Sequence, residues 1–308
     1  MSETTPGFAA RWWTFVRERF EPLGHVLMAG AFFAGNAGAA RLLLGSDLTV
    51  RPAVCASLGV LLTFLRLRIF DEIKDHLTDR EAHPDRPLAR GLISPTEGRG
   101  VAAALAVLEA ALALCCGLPA LVAWAGVLVY SLLMYREFFI ADWLRPKMEL
   151  YAVAHTLVAG WMGIFVATAV SGRHLWELPA GLWGFILVNW AAFNVFEFAR
   201  KTWGSDEERP GVESYSRRLR PVGAAVLSMS QVVMATGGIL IVLWSEDMFR
   251  AAIWTAAALA VPTAVGSLVY SLRAGRSTAR AFRGVMTLFI LGSYLALAAW
   301  AFLGRGVT

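Results

Sequence analysis

Runs of about twenty apolar residues follow one another along nearly the whole chain, and they constrain its fold more than any other feature. A bilayer core takes about 20 helical residues to cross. Inside lipid every backbone N–H and C=O must find its partner within the protein, which leaves helices or a closed barrel. The runs are too long and too continuously apolar for barrel strands, so they read as helices. Nine spans are expected, near residues 22–44, 51–70, 100–117, 119–135, 149–170, 178–199, 221–244, 249–271 and 282–303. The third and fourth almost touch at Gly117-Leu-Pro119, a turn signal. The composition agrees: 57% of the residues are hydrophobic, against about half in a soluble domain.

No linker or low-complexity tract divides the 308 residues, so a single polytopic membrane domain over 1–308 is expected. The first apolar run is long enough to span, and no signal-peptide pattern precedes it. Cys55, Cys115 and Cys116 lie within apolar runs and read as small hydrophobes rather than as a disulfide or zinc set. The net charge of +5 is not a nucleic-acid signature here, because the basic residues fall in alternate loops. The N-terminal segment and the loops 71–99, 136–148, 200–220 and 272–281, with adjoining helix ends, hold every Lys and Arg except Arg41, Arg51, Arg173, Arg250 and Arg305. That asymmetry places the N-terminus and these loops in the cytoplasm and the C-terminus outside, as an odd number of spans requires.

Two of the cytoplasmic segments carry acids. Asp71, Asp75 and Asp79 stand at i, i+4 and i+8, and so share one helix face, with Glu72 beside them. Like charges at that spacing repel. A lone carboxylate at mid-bilayer costs about 2.5–3.5 kcal/mol. Such a set belongs in a watered or metal-bound cavity, and converging carboxylates suit a hard ion such as Mg²⁺. The second segment has Asn194 and Glu197 one turn apart, then Asp206, Glu207 and Glu208. Two acidic groups on one membrane face suggest metal sites that share a polyanion, and a diphosphate meets that need. Arg68, Lys74, Arg136 and Lys201 are candidates to hold its oxygens, or else serve as positive-inside anchors.

These residues resemble the UbiA-type intramembrane prenyltransferase superfamily. Its first motif is Asn-Asp-x-x-Asp-x-x-x-Asp, and this chain has Asp71-Glu72-x-x-Asp75-x-x-x-Asp79. The Pro-Asp-Arg-Pro-Leu-x-x-Gly-x-Ile-Ser pattern follows almost residue for residue from Pro84 to Ser94. Arg19-Phe-Glu21-Pro22-Leu-Gly24 is loosely similar to the family's segment before the first span. Tyr130 and Arg136 resemble its Tyr and basic pair after the fourth. The second motif departs from the family pattern. Glu197 takes its first acidic position, Lys201 falls where the next Asp would be, and Asp206 and Glu207 match a later acid group. A Lys there either contacts diphosphate directly or means one metal fewer.

The resemblance implies an all-α bundle of nine transmembrane helices and a magnesium-dependent transfer of an isoprenoid group from its diphosphate to an unidentified acceptor. It implies Mg²⁺ on Asp71, Asp75, Asp79 and Glu197, with Asp206 as a further ligand and Glu72 in the catalytic set. The prenyl tail would run into an apolar cavity, for which Phe32, Phe33, Trp161 and Phe193 are candidates. Asn36 and His155 are intramembrane polar groups that either line that cavity or serve packing. A terpene cyclase on the same fold, and a non-catalytic or transport protein, remain open. The Asp-Gly-x-x-Ala-Arg pattern of alcohol phosphotransferases is absent.

Overall fold

The structure is a computed structural model that describes residues 6–303; Arg305, counted above on the outer side, lies outside them. Helices account for its regular structure, and no strand occurs among the described residues. They are α1 (Phe8–Arg19), α2 (Pro22–Leu44), α3 (Val50–Ala82), α4 (Pro95–Cys116), α5 (Leu118–Tyr135), α6 (Ala141–Leu144), α7 (Met148–Thr156), α8 (Val158–Ser171), α9 (Ala180–Arg200), α10 (Tyr215–Trp244), α11 (Phe249–Leu272) and α12 (Arg276–Leu303). Counting α7 with α8, nine described segments are long and apolar enough to cross a membrane, which matches the nine expected spans.

Each spanning helix packs on its neighbour in sequence, and α12 closes back on α2, so the bundle is a ring. The α2 helix, the α7–α8 segment and α9 are the most buried, while α4, α5 and α11 are the least. The closure depends on missing side chains. A Cβ on Gly35 would come within 2.8 Å of the Tyr294 Cα, so only glycine lets α2 and α12 approach this closely. The bundle centre is tied by a reciprocal amide pair. Asn36 donates to Asn189 at 3.1 Å and Asn189 donates to Asn36 at 2.8 Å. Asn36 therefore serves packing: an amide in lipid needs a partner, and this one finds it across the bundle.

Several boundaries differ from those expected. The segment 71–99 is not one loop. The α3 helix continues to Ala82, so the acids from Asp71 to Asp79 project from a rigid helix, and α4 resumes at Pro95. The Ser94 hydroxyl caps α4 by accepting from the Glu97 N–H, with Pro95 at the first helical position. The fifth span is interrupted at Leu157. The seventh begins early, at Tyr215, and kinks at Arg220 (φ 64°) ahead of Pro221. The segment before the first span forms α1, whose Phe15 is fully buried against Ile69 and Ile73 of α3.

Candidate functional site

Successive helices alternate in direction, so the ends of α3, α5 and α9 and the start of α7 lie at one end of the bundle. The α3 acids fall into two groups there. Asp71 and Asp75 are exposed. Asp71, with a 53% exposed side chain, pairs with Lys74 at 3.7 Å, and Asp75 enters no ion pair among the described residues. Glu72 and Asp79 are buried and closely ion-paired, Glu72 through Oε1 alone. Glu72 is 2% exposed and held at 2.7 Å by both Arg19 and Arg68. Asp79 accepts from Arg86, of the Pro-Asp-Arg-Pro segment, at 2.6 and 2.7 Å.

The expected cations are spread more widely. Arg68 is spent on Glu72. Arg136 is exposed and lies over the Phe139 ring, in no ion pair among the described residues. Lys74 donates to the Tyr151 hydroxyl at 2.8 Å and lies 3.9 Å from Glu137. On α9, Glu197 is flanked by its own helix, with Arg200 at 2.5 Å and Lys201 at 3.0 Å. Asp206 is not drawn to the α3 acids. It sits 3.6 Å from Arg276, in an open groove with Glu207, Glu208 and five arginines.

The sequence reading missed Glu137, Arg145 and Tyr151. Glu137 to Phe139 form a turn in which three consecutive non-glycine residues have positive φ, at 47°, 55° and 59°. Left-handed backbone costs roughly 1–2 kcal/mol per residue. The turn is held by Arg145, which donates to the buried Glu137 carboxylate at 2.6 and 3.1 Å. Burial pushes the Glu137 carboxyl up, but the Arg145 hydrogen bonds and the nearby Lys74 outweigh it and hold Glu137 below its ordinary range. Strain of this kind gathers at functional sites. Tyr151 and His155 are one turn apart on α7 with stacked rings, 3.9 Å between centroids. That spacing was the available signal for Tyr151.

No group of three or more His, Cys, Asp or Glu among the described residues is placed to hold a metal ion alone. The exposed carboxylates without a close ion pair are Asp71 and Asp75. Two carboxylates, completed by water and substrate phosphate oxygens, are what Mg²⁺ ordinarily takes from a protein, so the donor set fits that ion at α3. Glu197, already bridged by Arg200 and Lys201, does not offer a second such site.

The family model described as the UbiA prenyltransferase family matches residues 26–291. The chain belongs to that family. A comparison with curated proteins finds no match. Among solved structures, the chain is similar to an apo UbiA homolog from Aeropyrum pernix K1, at 18% identity and a TM-score of 0.64, covering 89% of this chain and 97% of that one. It is similar to a digeranylgeranylglyceryl phosphate synthase at 15% identity and TM-score 0.63, covering 95% and 99%. It also resembles a UbiA homolog from Archaeoglobus fulgidus bound to DMAPP and Mg²⁺, at 12% identity and TM-score 0.57, covering 92% and 98%. At these identities the likeness establishes the fold.

Within this UbiA bundle, two of the four rings expected to line a tail cavity, Phe32 and Phe193, pack on one another. Phe32 lies edge-on to Phe193 and Tyr294, at 5.8 and 5.4 Å, and Phe64 joins them. Trp161 packs instead beside Gly126 of α5.

Proposed function

We propose that the protein is an intramembrane prenyltransferase that moves an isoprenoid group from its diphosphate to an acceptor, at the end of the bundle where α3 and α9 bring their polar residues. One observation carries the reading. Asp71 and Asp75 are exposed on a rigid helix, Asp75 in no ion pair among the described residues and Asp71 only in a long one with Lys74 at 3.7 Å, while the other motif carboxylates are held closely by protein cations. The Archaeoglobus homolog with DMAPP and Mg²⁺ supports it by analogy of fold. By the positive-inside pattern, this end faces the cytoplasm.

Asp71 and Asp75 hold the divalent ion. When bound, Mg²⁺ neutralises charge on the departing diphosphate. Lys74 and Lys201 supply fixed positive charge to the phosphate oxygens from two sides, Lys74 braced by Tyr151 and Lys201 by Glu197. Lys201 thereby supplies positive charge at the position where a further motif acid would hold metal. Glu72 and Asp79 act at one remove. They lock the end of α3 to α1 and to the loop after it, which fixes the direction in which Asp71 and Asp75 point. The aromatic cluster of Phe32, Phe64 and Phe193 lies deeper in the bundle and opens to admit the prenyl tail.

The test is magnesium-dependent diphosphate release by purified protein from geranyl, farnesyl and geranylgeranyl diphosphate. Release with at least one chain length is expected. Analysis of the organic products then separates transfer from cyclisation. No release with any of the three, even with membrane lipid extract added as an acceptor source, would contradict the reading.

A further inference from the structure

His155 has a ring nitrogen with nothing to do. Its Nδ1 lies 2.7 Å from the Tyr151 carbonyl oxygen. A carbonyl only accepts, so Nδ1 carries the hydrogen and the neutral ring keeps its lone pair on Nε2. That Nε2 is buried and has no partner. The ring is fixed from two sides, stacked on Tyr151 at 3.9 Å and met edge-on by Phe138 of the left-handed turn at 5.6 Å. The backbone beneath it is fixed too. The break at Leu157 frees carbonyls of α7, and the Tyr130 hydroxyl and the Trp190 indole donate to those of Ala154 and Val153 at 2.6 and 2.7 Å. A buried polar atom in so rigid a setting calls for a partner.

Two independent contacts set its depth. Tyr151 is level with Lys74, the cation paired with Asp71, and His155 lies one turn further into the bundle. On the other side Thr156 donates to Asn194, which is one turn inside Glu197. His155 is therefore one helical turn, about 5 Å, on the bilayer side of both polar groups. A diphosphate held between those groups with its tail in the bundle puts its reacting carbon at this depth. The charged groups around the ring are Lys74 from α3, Glu137 from the turn and Glu197 from α9; Tyr130 approaches from α5.

We propose that His155 takes the proton of the acceptor, and that the acceptor presents a hydroxyl to its Nε2. This rests on the prenyl-transfer reading above. The bond between the allylic carbon and the diphosphate oxygen breaks, and its electron pair leaves with diphosphate. A lone pair of the acceptor oxygen forms the new carbon–oxygen bond. The hydroxyl proton passes to Nε2 and from there to water. The balance needs no oxidant or reductant, and the product is an ether.

The experiment uses the full chain in lipid nanodiscs with Mg²⁺ and labelled geranyl diphosphate. It compares two hydroxyl probes, n-octanol and para-nitrophenol, at mildly alkaline pH, where the second is already ionised and needs no base. His155→Gln is expected to lower ether formation from n-octanol about 10²-fold while changing that from para-nitrophenol by no more than about twofold. The second probe also reports that the variant is folded. Equal losses with both probes would reduce His155 to a packing role, and no loss with n-octanol would overturn the proposal. Diphosphate release by the native protein without ether from either probe would overturn the hydroxyl acceptor. Absence of diphosphate release in the native protein would instead defeat the prenyl-transfer reading on which the inference stands.

Discussion

Arg19 holds the carboxylate of Glu72 at 2.7 Å, joining the last residue of α1 to the acidic end of α3. Glu72 occupies the motif position where the resemblance implies an Asp, yet its side chain faces the docking surface of α1. A charged hydrogen bond of this kind contributes about 1.5–3 kcal/mol. Arg19→Ala should loosen α1, raising amide hydrogen exchange over residues 8–19 by about 10- to 100-fold. Glu72→Gln should do the same and should lower magnesium-dependent turnover less than Asp75→Ala does. A Glu72→Gln variant with α1 still protected and magnesium affinity abolished would return Glu72 to the metal set.

Deeper in the bundle, Arg66 and Glu109 are both fully buried and form two parallel hydrogen bonds, at 2.8 and 3.0 Å. Ser131 accepts from the same guanidinium, and Thr63 and Trp124 donate to the same carboxylate. Arg66→Met leaves an unpaired buried carboxylate and should cost about 3–5 kcal/mol. The double variant Arg66→Met with Glu109→Leu removes both charges and should recover most of that loss. Unfolding in detergent measures both. Additive losses would show that the pair does not act as a unit.

The ease of reading differed between the bundle and the site for a physical reason. Span count follows from apolar run length, and lipid enforces it, so the nine spans were visible in the order of apolar runs along the chain. The acids were visible as a face of Asp71, Asp75 and Asp79, but their roles were not. Which carboxylate is free depends on what reaches it from afar. Arg19 is 53 residues from Glu72 in sequence, and Lys201, at the position of a further motif acid, is also the i, i+4 partner of Glu197. The left-handed turn at Glu137–Phe139 had no glycine to announce it. Asp206 was grouped with the second motif because it follows it in sequence, but the loop carries it to the arginines of α12.

Glu207 accepts from both ends of the Arg283 guanidinium, at 3.0 and 2.9 Å, and from the Gly204 N–H at 2.9 Å. The Arg283 bonds, against a smaller opposing effect of burial, hold its carboxyl below the ordinary value of 4.5. The unfolded chain therefore takes up the proton first as pH falls. The stabilisation is fully present above that ordinary value and is lost as pH drops through the lower folded value. Thermal midpoints over roughly pH 3–6 should fall on the acid side for the native protein, and Glu207→Gln should flatten that limb while lowering the plateau. An unchanged acid limb in the variant would assign the acid sensitivity to other carboxylates.

The central claim is that one divalent ion, on Asp71 and Asp75, serves diphosphate departure while Lys201 stands where the family places a further acid. The most direct measurement is the initial rate of diphosphate release against free Mg²⁺, corrected for the substrate's own magnesium complex, for the native protein, Asp75→Ala and Lys201→Asp. A hyperbolic, single-ion dependence is expected for the native protein, with a loss of at least about 10²-fold in Asp75→Ala and a steeper, two-ion dependence in Lys201→Asp. A two-ion dependence in the native protein, or release that survives Asp75→Ala, would contradict the account.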